Sequence, residues 1–180
     1  VGVAIGCLMC NNLSGKRVEP GIIPIGAFGL SLFSIDLYFS FSAYADDLDP
    51  ESLVSIISFL KINDGVKILT DLILIGAFGG IFIVPLYAMI QERTESDKRA
   101  RIIAVNNVIN AVFMVLGSLL GIIFLAILGW EIPEFFLLMA LLNLMFSGFI
   151  FARIPEFLKR FQVWLTTRIY SLKRFFGDRI

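Results

Sequence analysis

Three asparagines inside one apolar run are the densest chemistry this chain offers within a hydrophobic segment. Asn106 and Asn110 are four residues apart and Asn107 and Asn110 three, so a helix gathers all three amides on one patch. They lie roughly 6–12 Å in from Ile102, at the helical rise per residue. Gly117 and Gly121 continue the stripe. Amides donate and accept, so the patch either lines a polar cavity or ties helices together, the latter worth about 0.6–2 kcal/mol. Two acids also sit within apolar runs. Asp36 lies about 21 Å along its run from the basic end, and an acid at a helix centre costs about 2.5–3.5 kcal/mol on insertion scales. It reads either as a substrate- or proton-handling group or as a structural hydrogen-bond partner of a neighbouring helix or of Tyr38. Asp71, with Thr70 at the start of the next run, reads as a helix cap favoured by the positive end of the helix dipole.

Much chemistry is excluded at once. The chain has no histidine, hence no imidazole base, no histidine metal ligand and no triad built on one. Cys7 and Cys10 fall at C-x-x-C spacing, but at the end of an apolar run, where they read as two small apolar residues rather than a redox or zinc pair. No G-x-x-x-x-G-K-[ST] phosphate loop is present. The expectation is therefore no catalytic residue, no metal and no cofactor. With 15 basic and 15 acidic residues, the chain also lacks the cationic balance of a nucleic-acid binder.

The elements that position these groups are long apolar helices. Of 180 residues, 58% are hydrophobic and 17% charged, against about 45–50% and about 25% in soluble domains. Four runs can span a bilayer: 22–45, 68–91, 102–129 and 132–152. Residues 1–13 have no initiating Met and cover only about 20 Å, so they read as the tail of a truncated span. Residues 1–152 form the transmembrane bundle in this reading, and 153–180 a cytoplasmic tail. Small-residue pairs, Gly2-x-x-x-Gly6 and Gly76-x-x-x-Gly80, suit close helix contact. The string Ile-Gly-Ala-Phe-Gly occurs at 25–29 and at 75–79, which reads as shared use of packing residues.

Charge divides the connections. Segments 14–20 and 92–101 and the tail from Arg153 fall on one side of alternating helices and hold thirteen of the fifteen basic residues. With six acids that side sums to +7, while the other side, 46–67 and 130–134, sums to −5. The positive-inside rule makes the basic side cytoplasmic, the C-terminus with it. Asp49-Pro50-Glu51 reads as the start of a short outer interfacial helix that continues through Leu53, Val54, Ile56, Ile57, Phe59 and Leu60 and closes at Asn63-Asp64-Gly65. The tail places Phe157, Leu158, Phe161, Leu165, Ile169, Leu172, Phe175 and Phe176 at helical spacing among Lys159, Arg160, Arg168, Lys173 and Arg174. That is a basic amphipathic helix for the cytoplasmic leaflet, with Trp164 as its anchor.

Residues 13–38 (LSGKRVEPGIIPIGAFGLSLFSIDLY), 76–93 (GAFGGIFIVPLYAMIQER) and 101–121 (RIIAVNNVINAVFMVLGSLLG) resemble bacterial lysophospholipid transporters of the major facilitator superfamily, in the branch fused to a phospholipid acyltransferase. Residues 153–172 (RIPEFLKRFQVWLTTRIYSL) are similar to the connector into that enzyme. The resemblance implies an all-α membrane protein and the C-terminal half of a twelve-helix bundle: the end of helix 8, helices 9 to 12 and a C-terminal amphipathic helix. In that fold helices 10 and 11 line the cavity, which implies cavity roles for Asn106, Asn107, Asn110, Gly79 and Gly80 and a scaffold position for Asp36. Gly15, Lys16 and Arg17 resemble in position the cytoplasmic gating loop, although the match to the superfamily signature is loose.

The function implied is alternating-access movement of lysophospholipid across the bacterial cytoplasmic membrane. Its partners would be membrane lipids, the N-terminal half of the transporter and a fused or separate acyltransferase. The acyltransferase H-x-x-x-x-D motif is not in this chain, so no enzyme activity is expected of it. Two other readings remain open: a facilitator exporting drugs or metabolites, and a non-transporting membrane anchor for a cytoplasmic acyltransferase.

Overall fold

Apolar runs fold as helices and glycines decide how closely they meet. In a computed structural model, residues 1–14, 19–46 and 55–177 are described. Helix α1 (Gly2–Leu13) is followed by a 3-10 turn, Pro20–Ile22, that leads into α2 (Ile23–Asp46). Then come α3 (Ile56–Lys61), α4 (Asn63–Arg93), α5 (Arg99–Gly121), α6 (Ile132–Arg153) and α7 (Glu156–Gly177). Helix α5 runs on into a wider π-helical stretch, Ile122–Ile127. No strand occurs among the described residues. Four helices are long and apolar enough to cross a membrane: Pro20–Tyr44, Asn63–Arg93, Arg99–Ile127 and Ile132–Arg153. The 22 residues of α6 cover about 33 Å, matching a hydrocarbon core of about 30 Å. The architecture is all-helical and compatible with a multi-pass membrane protein.

The start of α4 corrects the sequence reading. Helix α3 ends at Lys61, Ile62 is extended (φ −89°, ψ 130°), and Asn63-Asp64-Gly65 opens α4 instead of closing the preceding helix. Gly65 presses its backbone on the Phe59 carbonyl, where a Cβ would collide. Asp71 is therefore two turns inside the helix and is not a cap, while Thr70 donates to the Val66 carbonyl (2.8 Å) one turn back. The expected beginning of the outer segment, Asp49-Pro50-Glu51 with Leu53 and Val54, lies outside the described residues. At the opposite turn Gly129 has φ 70°, and the Glu134 carboxylate accepts the Glu131 N–H (3.0 Å) to start α6.

Helix α4 lies between α1 and α2, and α2 between α4 and α6. The two small-residue pairs face each other across α1 and α4: a Cβ on Gly76 would stand 3.1 Å from Gly2 Cα, and one on Gly80 2.8 Å from the Val3 carbonyl oxygen. The repeated pentapeptides meet as well. Gly26 seats against the Phe82 backbone and Gly29 against the Phe78 ring, which stacks on Phe33 at 5.3 Å. Between α2 and α6 polar groups do the tying. Asn143 donates to the Ala27 carbonyl and to Ser31 Oγ (2.9 Å each), and Ser31 donates to the Ala140 carbonyl (3.3 Å). Every donor finds an acceptor there, as burial in an apolar bundle demands. Helix α5 is different, with no buried residue along its length.

Helix α7 crosses the end of the bundle where α1, α4 and α6 finish and α2 begins. Arg168 donates to the Asn12 and Leu13 carbonyls (3.1 and 2.8 Å), and Trp164 Nε1 to Leu13 (3.1 Å), capping the last turn of α1. Trp164, expected as a lipid anchor, docks on the end of α1. Phe157 is buried against Phe151, and the Arg160 backbone touches Gly21 closely enough to forbid a Cβ.

At its first turn Glu156 pairs with Arg93 of α4 (2.6 Å) and with Arg160 (3.3 Å). The Arg93 hydrogen bond, with the charges of Arg93 and Arg160, holds the Glu156 carboxyl below its ordinary value of 4.5. A lowered folded value means the tie is complete above pH 4.5 and is lost as pH falls through the folded value. In a Trp130→Phe background, Trp164 emission is expected to shift to the red on acidification below pH 4.5. Glu156→Gln should start shifted and stay flat across that range; a wild-type response in it would show that another group controls the tie.

Candidate functional site

Two polar stations sit on α4, one toward each end. The first joins α4 to α5. Tyr87 Oη accepts from Asn110 Nδ2 (2.8 Å) and from Asn106 Nδ2 (3.0 Å). Both amides reach one oxygen because their i, i+4 spacing puts them on one stripe. Depth agrees on the two helices: Tyr87 is six residues before Arg93 and Asn106 seven after Arg99, each about 9–10 Å from its helix end. The phenol accepts twice, so its own proton stays available to a further acceptor, and the two amide oxygens add acceptors beside it. A phosphate or glycerol-like group could be held by this set without any formal charge from the protein. Asn107 is exposed and does not join the pair.

The second station lies between α2 and α4, with Asp71 about 24 Å from Tyr87 along α4. Lys67 Nζ is 3.2 Å from Asp36 Oδ1, and Ser40 donates to Asp71 Oδ2 at 2.9 Å. Lys67 and Ser40 thus tie Asp36 and Asp71 into one cluster across the two helices. Each helix contributes an i, i+4 pair, Asp36 with Ser40 and Lys67 with Asp71, so facing stripes interleave four polar groups. Asp71 is buried, while Asp36 and Lys67 are about half exposed. Two acids and one lysine leave this cluster one negative charge in excess when all are ionised.

The other expected site residues are distributed differently. Gly80 is pressed on α1, with the Val3, Gly6 and Cys7 backbone around it. Gly79 meets only Leu30 Cδ2, at an ordinary 3.7 Å. Gly117 has nothing near a Cβ and Gly121 only the Phe135 ring at 4.0 Å, so the lower stripe of α5 is open. Asp36 pairs with Lys67 of the neighbouring helix α4. Gly15, Lys16 and Arg17 lie outside the described residues. Among the described residues no three or more Cys, Asp or Glu gather as metal ligands would, and Cys7 and Cys10 are free thiols.

Tyr87, Ser40, Lys67 and Asn143 are the polar groups that sequence reading passed over. A phenol at the polar end of an apolar run, and a serine four residues after an aspartate, were signals available for the first two. No family model, curated protein or solved structure matches this chain.

Proposed function

We propose that this chain is part of a multi-pass transporter of the bacterial cytoplasmic membrane that moves a lysophospholipid by alternating access. The observation that carries the reading is the Tyr87–Asn106–Asn110 set, joining two apolar helices by uncharged donors and acceptors. An uncharged polar set among apolar walls suits a substrate with one polar head and one apolar tail. Helix α5 supports the same reading, because an exposed helix with three amides in its first half cannot face hydrocarbon all round. In this proposal further helices complete the cavity against α5, and the substrate head visits the asparagine stripe as two helical halves rock about it. The basic end crossed by α7 is then cytoplasmic. The Asp36–Lys67 station serves as scaffold between α2 and α4 in this proposal.

The test reconstitutes the protein in liposomes with labelled lysophosphatidylethanolamine and follows its transbilayer movement. Movement no faster than in empty liposomes would overturn the proposal. Asn110→Leu, which removes one hydrogen bond, is expected to slow movement about five-fold, and Tyr87→Phe, which removes the shared acceptor, by more. Unfolding temperatures should change little in either variant. Transport at the wild-type rate in both would return the set to helix packing.

A further inference from the structure

In depth between the two polar stations lies a recess of about 340 Å³, formed by α2 and α6. Ser34 and Ala140, both buried, lie deepest in it, and Leu30, Phe135, Met139 and Asn143 stand around them half-buried. Two of these walls reach the remaining long helices. Leu30 Cδ2 would meet a Cβ on Gly79 of α4 at 3.7 Å, and the Phe135 ring would meet one on Gly121 of α5 at 4.0 Å. Helix register gives the depth. Gly26 seats against the Phe82 backbone, Tyr87 is five residues beyond Phe82, and Ser34 is eight beyond Gly26 on the antiparallel helix. Tyr87 and Ser34 are therefore about 20 Å apart along the bundle. Ser40, which holds Asp71, is six residues beyond Ser34, about 9 Å in the other direction.

Ser34 is the residue out of place. It is 8% exposed, yet it makes no hydrogen bond among the described residues. Ser31 and Ser40 on the same helix both donate, to the Ala140 carbonyl and to Asp71. Among the described residues no side-chain oxygen or nitrogen is both sealed off and without a partner, so the Ser34 hydroxyl opens on the recess it lines. Asn143 adds no free donor, because its amide nitrogen already gives its protons to the Ala27 carbonyl and Ser31 Oγ. An unpaired hydroxyl in an apolar setting is costly, and a ligand that pairs with it recovers that cost.

The lining defines what enters. No Asp, Glu, Lys or Arg lines the recess, and an ion brought there would lose its hydration without a counter-charge, so the ligand is neutral. Leu30, Phe135 and Met139 ask for an apolar body, and one free hydroxyl asks for one polar atom. The volume is at the low end of ligand pockets, about 300–1,000 Å³, which admits much less than a whole lipid.

We propose that this recess binds a neutral molecule with a short apolar body and one hydroxyl or carbonyl group, of the class of medium-chain alcohols, hydrogen-bonded to Ser34. Such a molecule dissolves in the hydrocarbon around the bundle and reaches the half-buried walls from there. The site shares no residue with the Tyr87–Asn106–Asn110 set and stands or falls without the transport reading.

The probes are octanol and octane, each carrying the same photoreactive diazirine on its chain and offered to the full chain in liposomes at equal membrane concentration. Mass spectrometry of peptides locates the label. One hydrogen bond in an apolar site is worth about a factor of five, so the alcohol is expected to label the recess of wild type about five-fold more than the alkane. Ser34→Ala should bring that ratio to one and keep the alkane labelling. Its unfolding temperature should be no lower, since no hydrogen bond within the protein is lost. Met139→Trp, at a half-buried wall position, should block both probes. Equal labelling of wild type by the two probes would overturn the proposal and leave water as the partner of Ser34. So would absence of label from the recess, a five-fold ratio kept in Ser34→Ala, or undiminished labelling of Met139→Trp.

Discussion

Gly6→Val is expected to separate α1 from α4 and to cost about 3 kcal/mol, near the upper end for overpacked sites. The reason is geometric. A Cβ at Gly6 would run into the Ala77 backbone, carbonyl oxygen included, and backbone cannot rotate away as a side-chain end can. Gly2 against Ile73 and Gly80 against Val3 repeat the contact at neighbouring turns, so the helices cannot part at one point only. A lone shift of an ångström would open the whole seam and forfeit its dispersion contacts. Leu8→Val on the same helix is the control: Leu8 is 71% exposed, and its change should stay within about 0.5 kcal/mol. Denaturant titration in detergent micelles reads both. Equal stabilities for the two variants would show that α1 is held chiefly from its end, by Arg168 and Trp164 of α7.

That seam shows which parts of the fold were legible beforehand. The spacing of Gly2, Gly6, Gly76 and Gly80 is a local property, so the sequence displays two smooth helix faces. Which faces meet depends on helix adjacency, which no single segment encodes. The same limit explains Tyr87 and Lys67. Each is an ordinary residue on its own helix and becomes part of a site only when Asn106 and Asn110, or Asp36, arrive from another. Asp71 was misread for a different reason. Hydropathy puts the start of its span at Ile68, but Asn63–Lys67 adds more than a helical turn, because polar residues at a span end lose nothing by being helical. In α7 the amphipathic stripe was plain. Its division between buried and exposed positions was not, since Phe157 and Ile169 look alike until α1 and the Gly21 turn are in place.

Lys67→Met should destabilise the α2–α4 contact by about 2 kcal/mol, below the 3–5 kcal/mol of a fully buried pair because Lys67 and Asp36 are 48% and 42% exposed. Methionine keeps the apolar stem that lies along the helix surface, so the loss reports charge alone. It leaves Asp36 and Asp71 on facing stripes without their shared counter-charge, and like charges on neighbouring helices repel. Asp36→Asn should cost less, about 1 kcal/mol, since Lys67 then keeps Asp71 as its nearby acid. The double variant Lys67→Met with Asp36→Asn removes both charges of the pair and should recover most of the loss, a coupling of at least about 1 kcal/mol. Additive losses would mean the 3.2 Å pair does not bind the helices together. The same four proteins separate scaffold from carrier when assayed in liposomes. If the cluster is scaffold, transport follows stability and the double variant regains it. If the cluster exchanges a proton with the cycle, the double variant is stable but no longer responds to an imposed pH gradient. A charge cluster kept only for packing has no reason to make that distinction, so the stable double variant is the protein in which the two roles part.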